Sequence, residues 1–462
     1  MKIAAAPVAL AALAVARAAG GQTAVASDPE IRRILVERVD TQRQSVGIVV
    51  GVIEPSGRRV VSYGRLAKDD PRPLDGDTIF EIGSITKVFT SLLLADAVQR
   101  HEVALTDPIA KYLPSSVNMP ERGRAITLQD LATHTSGLPR LPGNMKPRDA
   151  MNPYADYSVE QLYQFLSSFQ PSREPGAMYE YSNLGGGLLG HVLALRAQTD
   201  YPSLVRARVT SPLGMTSTAV ALSPGLEARL AKGHSATLQP VPNWDLPTLA
   251  GAGALRSSTN DMLTFLGATL EYVKSPLAPA MAAMLDLRRP TGVDNLQIML
   301  GWHVLTAHGR EIVWHNGGTG GYRTFIGFDP AARTGVVVLS NAATAAGPDD
   351  IGRHLIDPQL PLLAFTAPAV HTEVAIDPAL YGIYAGRYQF APTVVLTVTR
   401  TDGHLFAQLT GQPAFEVFPE SDTRFFLKVV DAQLTFERSA DGKAAAVVLH
   451  QNGRDQRATR VE

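Results

Sequence analysis

Apolar positions along the chain follow two regimes. In the first, strand-like and helix-like periods alternate. Ser45–Ile53 is β-branched and apolar throughout, which predicts a buried strand. Pro55-Ser56-Gly57 then marks a turn, and Arg59–Tyr63 predicts a second strand. Glu30–Val39 predicts a short amphipathic helix, and Phe80–Val98 a longer one expected to bury one face. From Asp107 to Glu180 the chain is rich in Pro, Gly and polar residues, with helices expected near Thr127–Ala132 and Ser158–Phe169. Leu184–Ala197 and Asp261–Tyr272 predict two more helices, the former opened by glycines. Strand character returns at Glu311–His315, Thr324–Phe328 and Gly335–Ser340, with Asp329-Pro330 and Arg333 turning the chain between the last two. Strands at both ends and helices between them predict an α+β fold: one antiparallel sheet sewn from both ends of the domain and flanked by helices.

The second regime follows Ala367-Pro368-Ala369, which is linker-like. Short alternating strands are expected at Val394–Arg400, His404–Leu409, Phe425–Val430, Ala432–Arg438 and Ala444–Gln451, with Asp402-Gly403 and Asp441-Gly442 as hairpin turns. This predicts a small C-terminal antiparallel β barrel or meander. It holds no ionisable cluster, so packing or partner contact is its expected role. The chain of 462 residues is too long for one ordinary core. The expected division is 1–26, 27–366 and 370–462.

Residues 1–26 have the layout of a secretory signal: Lys2, a short apolar run over Ile3–Ala16, and small residues at Ala24-Val25-Ala26, with Arg17 allowing earlier cleavage near Ala18. The run is too short to span a bilayer, and no later segment is apolar enough. The absence of cysteine excludes thiolate catalysis and Cys-ligated metal. Export without disulfides suits a bacterial periplasm better than an animal secretory pathway. A net charge of −1 leaves no electrostatic footprint for nucleic acid or a polybasic membrane contact.

Three stretches could carry chemistry. Ser84 and Lys87 sit three apart at the start of the Phe80–Val98 helix, on one face. Behind Gly83, the Ser84 N–H would lie at a helix N-terminus, where amide groups point towards anions. The pair is either surface decoration or a nucleophile beside the cation that activates it. In EYSNLGGGLLG (Glu180–Gly190), Ser182 or Asn183 could simply cap a helix with Tyr181 packed beside it. Alternatively, Tyr181 near an ammonium loses its proton more easily and acts as a base, while Asn183 holds an amide oxygen. In WHNGGTGGYRTFIGFDP (Trp314–Pro330), glycines after a strand let another backbone approach a sheet edge, or merely build a hairpin.

Together these stretches resemble the serine β-lactamase and penicillin-binding protein family, closest to its class C β-lactamase, D-aminopeptidase and family VIII carboxylesterase branch. The resemblance rests on S-I-T-K at Ser84–Lys87, Y-S-N at Tyr181–Asn183 and H-N-G at His315–Gly317. Their flanks agree: IFEIGSITKVFTSLLLA, LATHTSGLP (Leu131–Pro139), GAGALRSSTNDMLTFL (Gly251–Leu266) and GGYRTFIGFDPAARTGVVVLSN. It covers roughly residues 30 to 365, and the last stretch resembles the lipocalin-like β domain of some members.

The resemblance implies Ser84 as acylated nucleophile, Lys87 as its activator, Tyr181 as the base and Asn183 as ligand of a substrate amide. It also implies an oxyanion hole from the N–H groups of Ser84 and Gly318, beyond Gly317. His315 departs from the family's usual lysine. Being mostly neutral near neutral pH, it should attract a carboxylate more weakly until acid protonates it. If another cation does that work, Arg323 in GGYRTF is the first candidate. The substrate would be a small molecule or short peptide: a β-lactam, a D-amino-acid peptide of cell-wall type, or a short-chain ester.

Other readings have less support. His134 and His315 could suggest zinc, but there is no H-E-x-x-H and no close histidine pair. A Ser-His-Asp hydrolase would want G-x-S-x-G around Ser84, which is absent. A catalytically inactive binding or sensor protein could keep the fold. No metal or cofactor is expected.

Overall fold

The computed structural model describes residues 25–461 except 346, 366–370, 392–393, 411, 413, 431, 440–441 and 452–453. The linker at Ala367–Ala369, Asp441 and nearly all of the signal-like segment lie outside the described residues.

The strands before the barrel are β1 (Gly47–Glu54), β2 (Gly57–Gly64), β3 (Ile79–Glu81), β4 (Arg256–Ser258), β5 (Arg289–Pro290), β6 (Leu296–Ile298), β7 (His303–Ala307), β8 (Arg310–Gly318), β9 (Arg323–Asp329) and β10 (Thr334–Ser340). Eight of them form one antiparallel sheet in the order β2-β1-β10-β9-β8-β7-β6-β5, while β3 and β4 pair separately. The two ends of the domain meet where β1 runs beside β10, with Ile48 opposite Ser340 and Val50 opposite Val338. β5 to β7 were not legible in the sequence. They are two to five residues long, too short for a period-2 pattern to stand out.

β1 and β10 are apolar at nearly every position because both faces of the sheet are covered. Val49, Ile53, Val337 and Leu339 face the larger core, which contains Leu92, Phe89 and Phe265. Ile48, Val50, Val52, Val336 and Val338 face a second core, closed by Ile31 and Leu35 of helix Asp28–Val36 and by Ile351 and Leu355 of helix Asp349–Ile356. Each such side chain contributes about 1.5–3 kcal/mol when fully buried. Helix Thr86–Gln99 is not one-sided as expected. Residues 86 to 97 are all buried, so it runs through the middle of the domain.

After Ala379–Tyr384, eight strands between Gly386 and Arg460 close a barrel, with Tyr388 of the first strand opposite Arg460 of the last. Five were expected from the sequence. The missed ones include Arg454–Arg460, a polar run whose Ala458 points into the core; a closed barrel can complete itself with a strand offering only a small inward residue. Asp402 and Gly403 take positive φ of 50° and 82°, as a two-residue hairpin turn requires. The interior is filled by Tyr384, Tyr388, Phe425 and Phe436, with the rings of Tyr384 and Phe436 stacked 4.3 Å apart.

Candidate active site

Ser84 is placed by a short stretch of chain that has little freedom. β3 pairs with β4, and the Ile82 N–H donates to Leu255 O (3.0 Å), which fixes the exit of the strand. Gly83 then takes φ +51°, and Gly83–Ile85 form one 3₁₀ turn that feeds helix Thr86–Gln99. A Cβ on Gly83 would lie 2.6 Å from the Gly318 nitrogen. The backbone before Ser84 therefore rests directly on the end of β8. The Thr324 hydroxyl donates to Ile82 O (2.9 Å) and ties β9 to the same spot.

Lys87, one helical turn on, is 3% exposed. Its Nζ donates to Ser84 Oγ (3.0 Å), Asn183 Oδ1 (2.9 Å) and Ala252 O (2.7 Å). The glycines of the Asn183–Arg196 helix make this possible: a Cβ on Gly186 would lie 2.9 Å from Lys87 Cε. Burial pushes the Lys87 pKa well below the usual lysine value, and the Arg140 charge adds to this. A neutral amine keeps two N–H donors and gains a lone pair. Deprotonation thus gives up about one charge-assisted bond, while burial favours the uncharged form. A free amine at this place lies within hydrogen-bond reach of the Ser84 hydroxyl.

Ser182 is the helix N-cap, its Oγ accepting from the Gly185 N–H (2.8 Å), and Asn183 is the first helical residue. Asn183 Nδ2 also donates to the Tyr154 hydroxyl (3.0 Å). Tyr181 is surrounded by potential cations: Lys87 Nζ is 4.9 Å and the Arg140 guanidinium 5.2 Å from its ring centroid. The sequence suggests that an adjacent ammonium makes Tyr181 easier to deprotonate, but the structure reverses the sign. Burial raises its pKa above the usual tyrosine value, outweighing the hydrogen bond with Ser84 and the Arg140 charge. Tyr181 keeps its proton at neutral pH.

His315 is 1% exposed. Its Nδ1 is 2.6 Å from Asn316 O, its Nε2 is buried without a hydrogen-bond partner, and its ring lies 5.3 Å from His303 and 6.3 Å from Tyr181. Burial first, then His303 and Lys87, push its pKa well below the usual histidine value. His303, bonded to the Tyr179 hydroxyl (3.0 Å), is pushed down to about 4 by burial.

Gly317 and Gly318 lie where β8 outruns β7: His303, the first residue of β7, pairs with Trp314. The glycines do leave a sheet edge, but the backbone approaching Gly317 belongs to this chain, since a Cβ there would lie 2.0 Å from Ile82 O. Arg323 Nη1 donates to Thr319 O (2.8 Å) and Tyr322 O (3.0 Å), so this guanidinium holds the glycine hairpin together. Ser84, Lys87, Tyr181, Asn183, His315, Gly317 and Gly318 are thus gathered in one place. The sequence offered His134 only as a candidate zinc ligand and assigned nothing to Arg140, Tyr154 or His303. Of these only His134 and Arg140 had a signal: they fall within or beside LATHTSGLP. Among the described residues, no group of three or more His, Cys, Asp or Glu side chains is arranged to hold a metal.

The β-lactamase family model matches residues 31–360. The chain belongs to the β-lactamase family. Its members among the relatives include D-alanyl-D-alanine-carboxypeptidase/endopeptidase AmpH of Escherichia coli (strain K12), 30% identical over 68% of this chain and 85% of its own length. Penicillin-binding protein 4* of Bacillus subtilis (strain 168) is 26% identical over 87% of this chain and 92% of its own length. A class C β-lactamase from Rhodobacter sphaeroides superposes with a TM-score of 0.61 at 26% identity, covering 72% of this chain and 97% of its own. A β-lactamase/D-alanine carboxypeptidase from Yersinia pestis gives 0.62 at 27%, with the same coverages. The β-lactamase-family domain therefore has the class C-like fold that its motifs implied, and it belongs among serine hydrolases. A domain of unknown function, DUF3471, matches residues 371–460.

Proposed function

We propose that Ser84 is the nucleophile of a hydrolase acting through a covalent acyl-enzyme on amide bonds, of β-lactam or D-amino-acid peptide type. The observation that carries this is the buried Lys87 amine, bonded at once to Ser84 Oγ (3.0 Å) and Asn183 Oδ1 (2.9 Å). Ser84 Oγ attacks the carbonyl carbon as its proton passes to Lys87 Nζ. The oxyanion is held by the N–H groups of Ser84 and Gly318. The C–N bond then breaks, and the leaving amine takes a proton from the Tyr181 hydroxyl, which is replenished from Lys87. Water hydrolyses the ester through the same groups in reverse. Asn183 Nδ2 holds the substrate's amide oxygen on the acyl side, exchanging the Tyr154 hydroxyl for it. His315 underlies the site as a neutral ring, and Gly317 admits the backbone that carries Ser84.

The substrate class is supported by what the relatives are named for: β-lactams and D-alanyl-D-alanine peptides. We also infer export, supported by Lys2, the apolar Ile3–Ala16 run and the small residues Ala24-Val25-Ala26. The test is intact-protein mass spectrometry after exposure to a penicillin and to a fluorophosphonate. One adduct is expected on the wild type and none on Ser84→Ala. Labelling that persists in Ser84→Ala would overturn the assignment. Turnover of nitrocefin, a D-Ala-D-Ala peptide, a D-amino-acid amide and a p-nitrophenyl ester then ranks the substrates.

A further inference from the structure

The Y-S-N segment hangs from the chain of Thr133–Arg140. The Glu180 N–H donates to His134 O (2.8 Å), and the Ser182 N–H to His134 Nδ1 (3.2 Å). Ser182 Oγ donates to Pro139 O (2.7 Å), and the Asn183 N–H to Arg140 O (3.0 Å). In an extended segment the amides of residues i and i+2 point the same way. His134 therefore takes the amides on both sides of Tyr181, one with its carbonyl and one with its ring. That ring also lies on Tyr181, with centroids 4.4 Å apart and planes at 36°. To do this His134 adopts φ +55°, a left-handed conformation that favours glycine and is tolerated by few other residues. The residue is 3% exposed.

We propose that His134 is a positioning residue for Tyr181: its carbonyl and Nδ1 clamp the backbone on either side, and its ring fixes the angle of the phenol towards Ser84 and Lys87. The clamp needs the tautomer with Nδ1 bare and the proton on Nε2, because Nδ1 accepts. Around the ring stand Lys87, Arg140, His303, His315 and the phenols of Tyr179 and Tyr181. None carries a negative charge at neutral pH, so nothing favours an imidazolium that would replace the acceptor with a donor. The inference rests on Tyr181 being part of the reaction, as proposed above.

The test compares His134→Gly with His134→Asn. Glycine accepts the positive φ but removes ring and acceptor. Asparagine also tolerates that backbone, and its Oδ1 stands near the place of Nδ1. We expect the acylation rate constant of the glycine variant to fall about tenfold or more, since misplacement of a reacting group is costly, with half-saturation nearly unchanged. The asparagine variant should recover part of the loss, because the acceptor for the Ser182 N–H is restored while the stacked ring is not. A glycine variant that acylates at the wild-type rate, or an asparagine variant no faster than glycine, overturns the proposal. Nitrogen-15 NMR of the wild type settles it independently should the glycine variant not fold: the His134 signal should show a bare Nδ1 at pH 7, and a proton there overturns the clamp. Loss of the Ser84 adduct in Ser84→Ala stays a separate result, so failure of the clamp and failure of the site are distinguishable.

Discussion

Gly317 and Ile82 are in contact that leaves no room for a side chain: a Cβ on Gly317 would lie 2.0 Å from the Ile82 carbonyl oxygen and 2.3 Å from Thr324 Oγ1. The carbonyl belongs to backbone and cannot rotate away. This contact sets the distance between β8 and the turn carrying Ser84, and hence between the N–H groups of Ser84 and Gly318.

Gly317→Ala should therefore push the two apart. We expect a stability loss of about 1–3 kcal/mol from overpacking and an acylation rate lower by about 10² or more, as when one oxyanion donor is lost. Chemical denaturation and adduct kinetics read the two effects. A variant that acylates normally would show that Gly318 is not an oxyanion donor.

The pH profile of acylation should follow Lys87. Acylation needs the free amine, so the rate rises as pH increases through a pKa that burial and Arg140 hold well below the usual lysine value. Tyr181 must keep its proton, and burial raises its pKa, so the alkaline limb lies high. Arg140→Gln removes a nearby positive charge. Lys87 then binds its proton more tightly, and the acid limb should move to higher pH by a few tenths to about one unit. A pH series of adduct formation with a neutral probe measures this. A shift to lower pH would contradict the role given to Lys87.

His315 should not behave as an acid-activated carboxylate receptor. The sequence allowed that reading, because a solvent-facing histidine protonates just below neutral pH. The ring is instead buried, and burial, His303 and Lys87 all oppose its protonation. Lowering the pH to about 5 should leave the penicillin-to-ester ratio of kcat/KM unchanged, since a group kept neutral adds no charge. His315→Lys would bury a second ammonium beside Lys87, and should cost roughly 2 kcal/mol or more in denaturant unfolding. A rise in the ratio on acidification would restore the receptor role.

Residues 371–462 should be removable. Among the described residues the barrel core draws on residues 376 to 458, and Val374 and His371 bond to Pro419 and Glu420 on the barrel itself. From the rest of the chain, the Thr237 hydroxyl reaches Lys428 O (3.0 Å), one exposed bond of about 0.5–1.5 kcal/mol. A chain ending at residue 365 should stay monodisperse and acylate Ser84. Aggregation, or a Ser84 that no longer labels, would mean that the barrel supports the hydrolase domain.

Some of this was fixed by the sequence alone. Ser84 and Lys87 share a helical face because three residues make nearly a turn. Ser45–Ile53 is a strand because β-branched apolar residues fill a pleated, buried surface. Asp402-Gly403 is a hairpin because few other pairs accept two positive φ angles. These are local properties, decided within a few residues. What only the tertiary structure decided depends on neighbours far along the chain. Lys87 and Tyr181 have their pKa values pushed apart by burial that the 183–196 and 250–253 helices and the 134–140 segment supply together. His315 stays neutral chiefly because the fold buries it. Gly317 is required because Ile82, 235 residues earlier in the numbering, passes within contact. The Arg454–Arg460 strand exists because a barrel needed closing, though its own residues hardly ask for one. Burial and electrostatics are sums over everything nearby in space, and the sequence does not say what is near until the chain has folded.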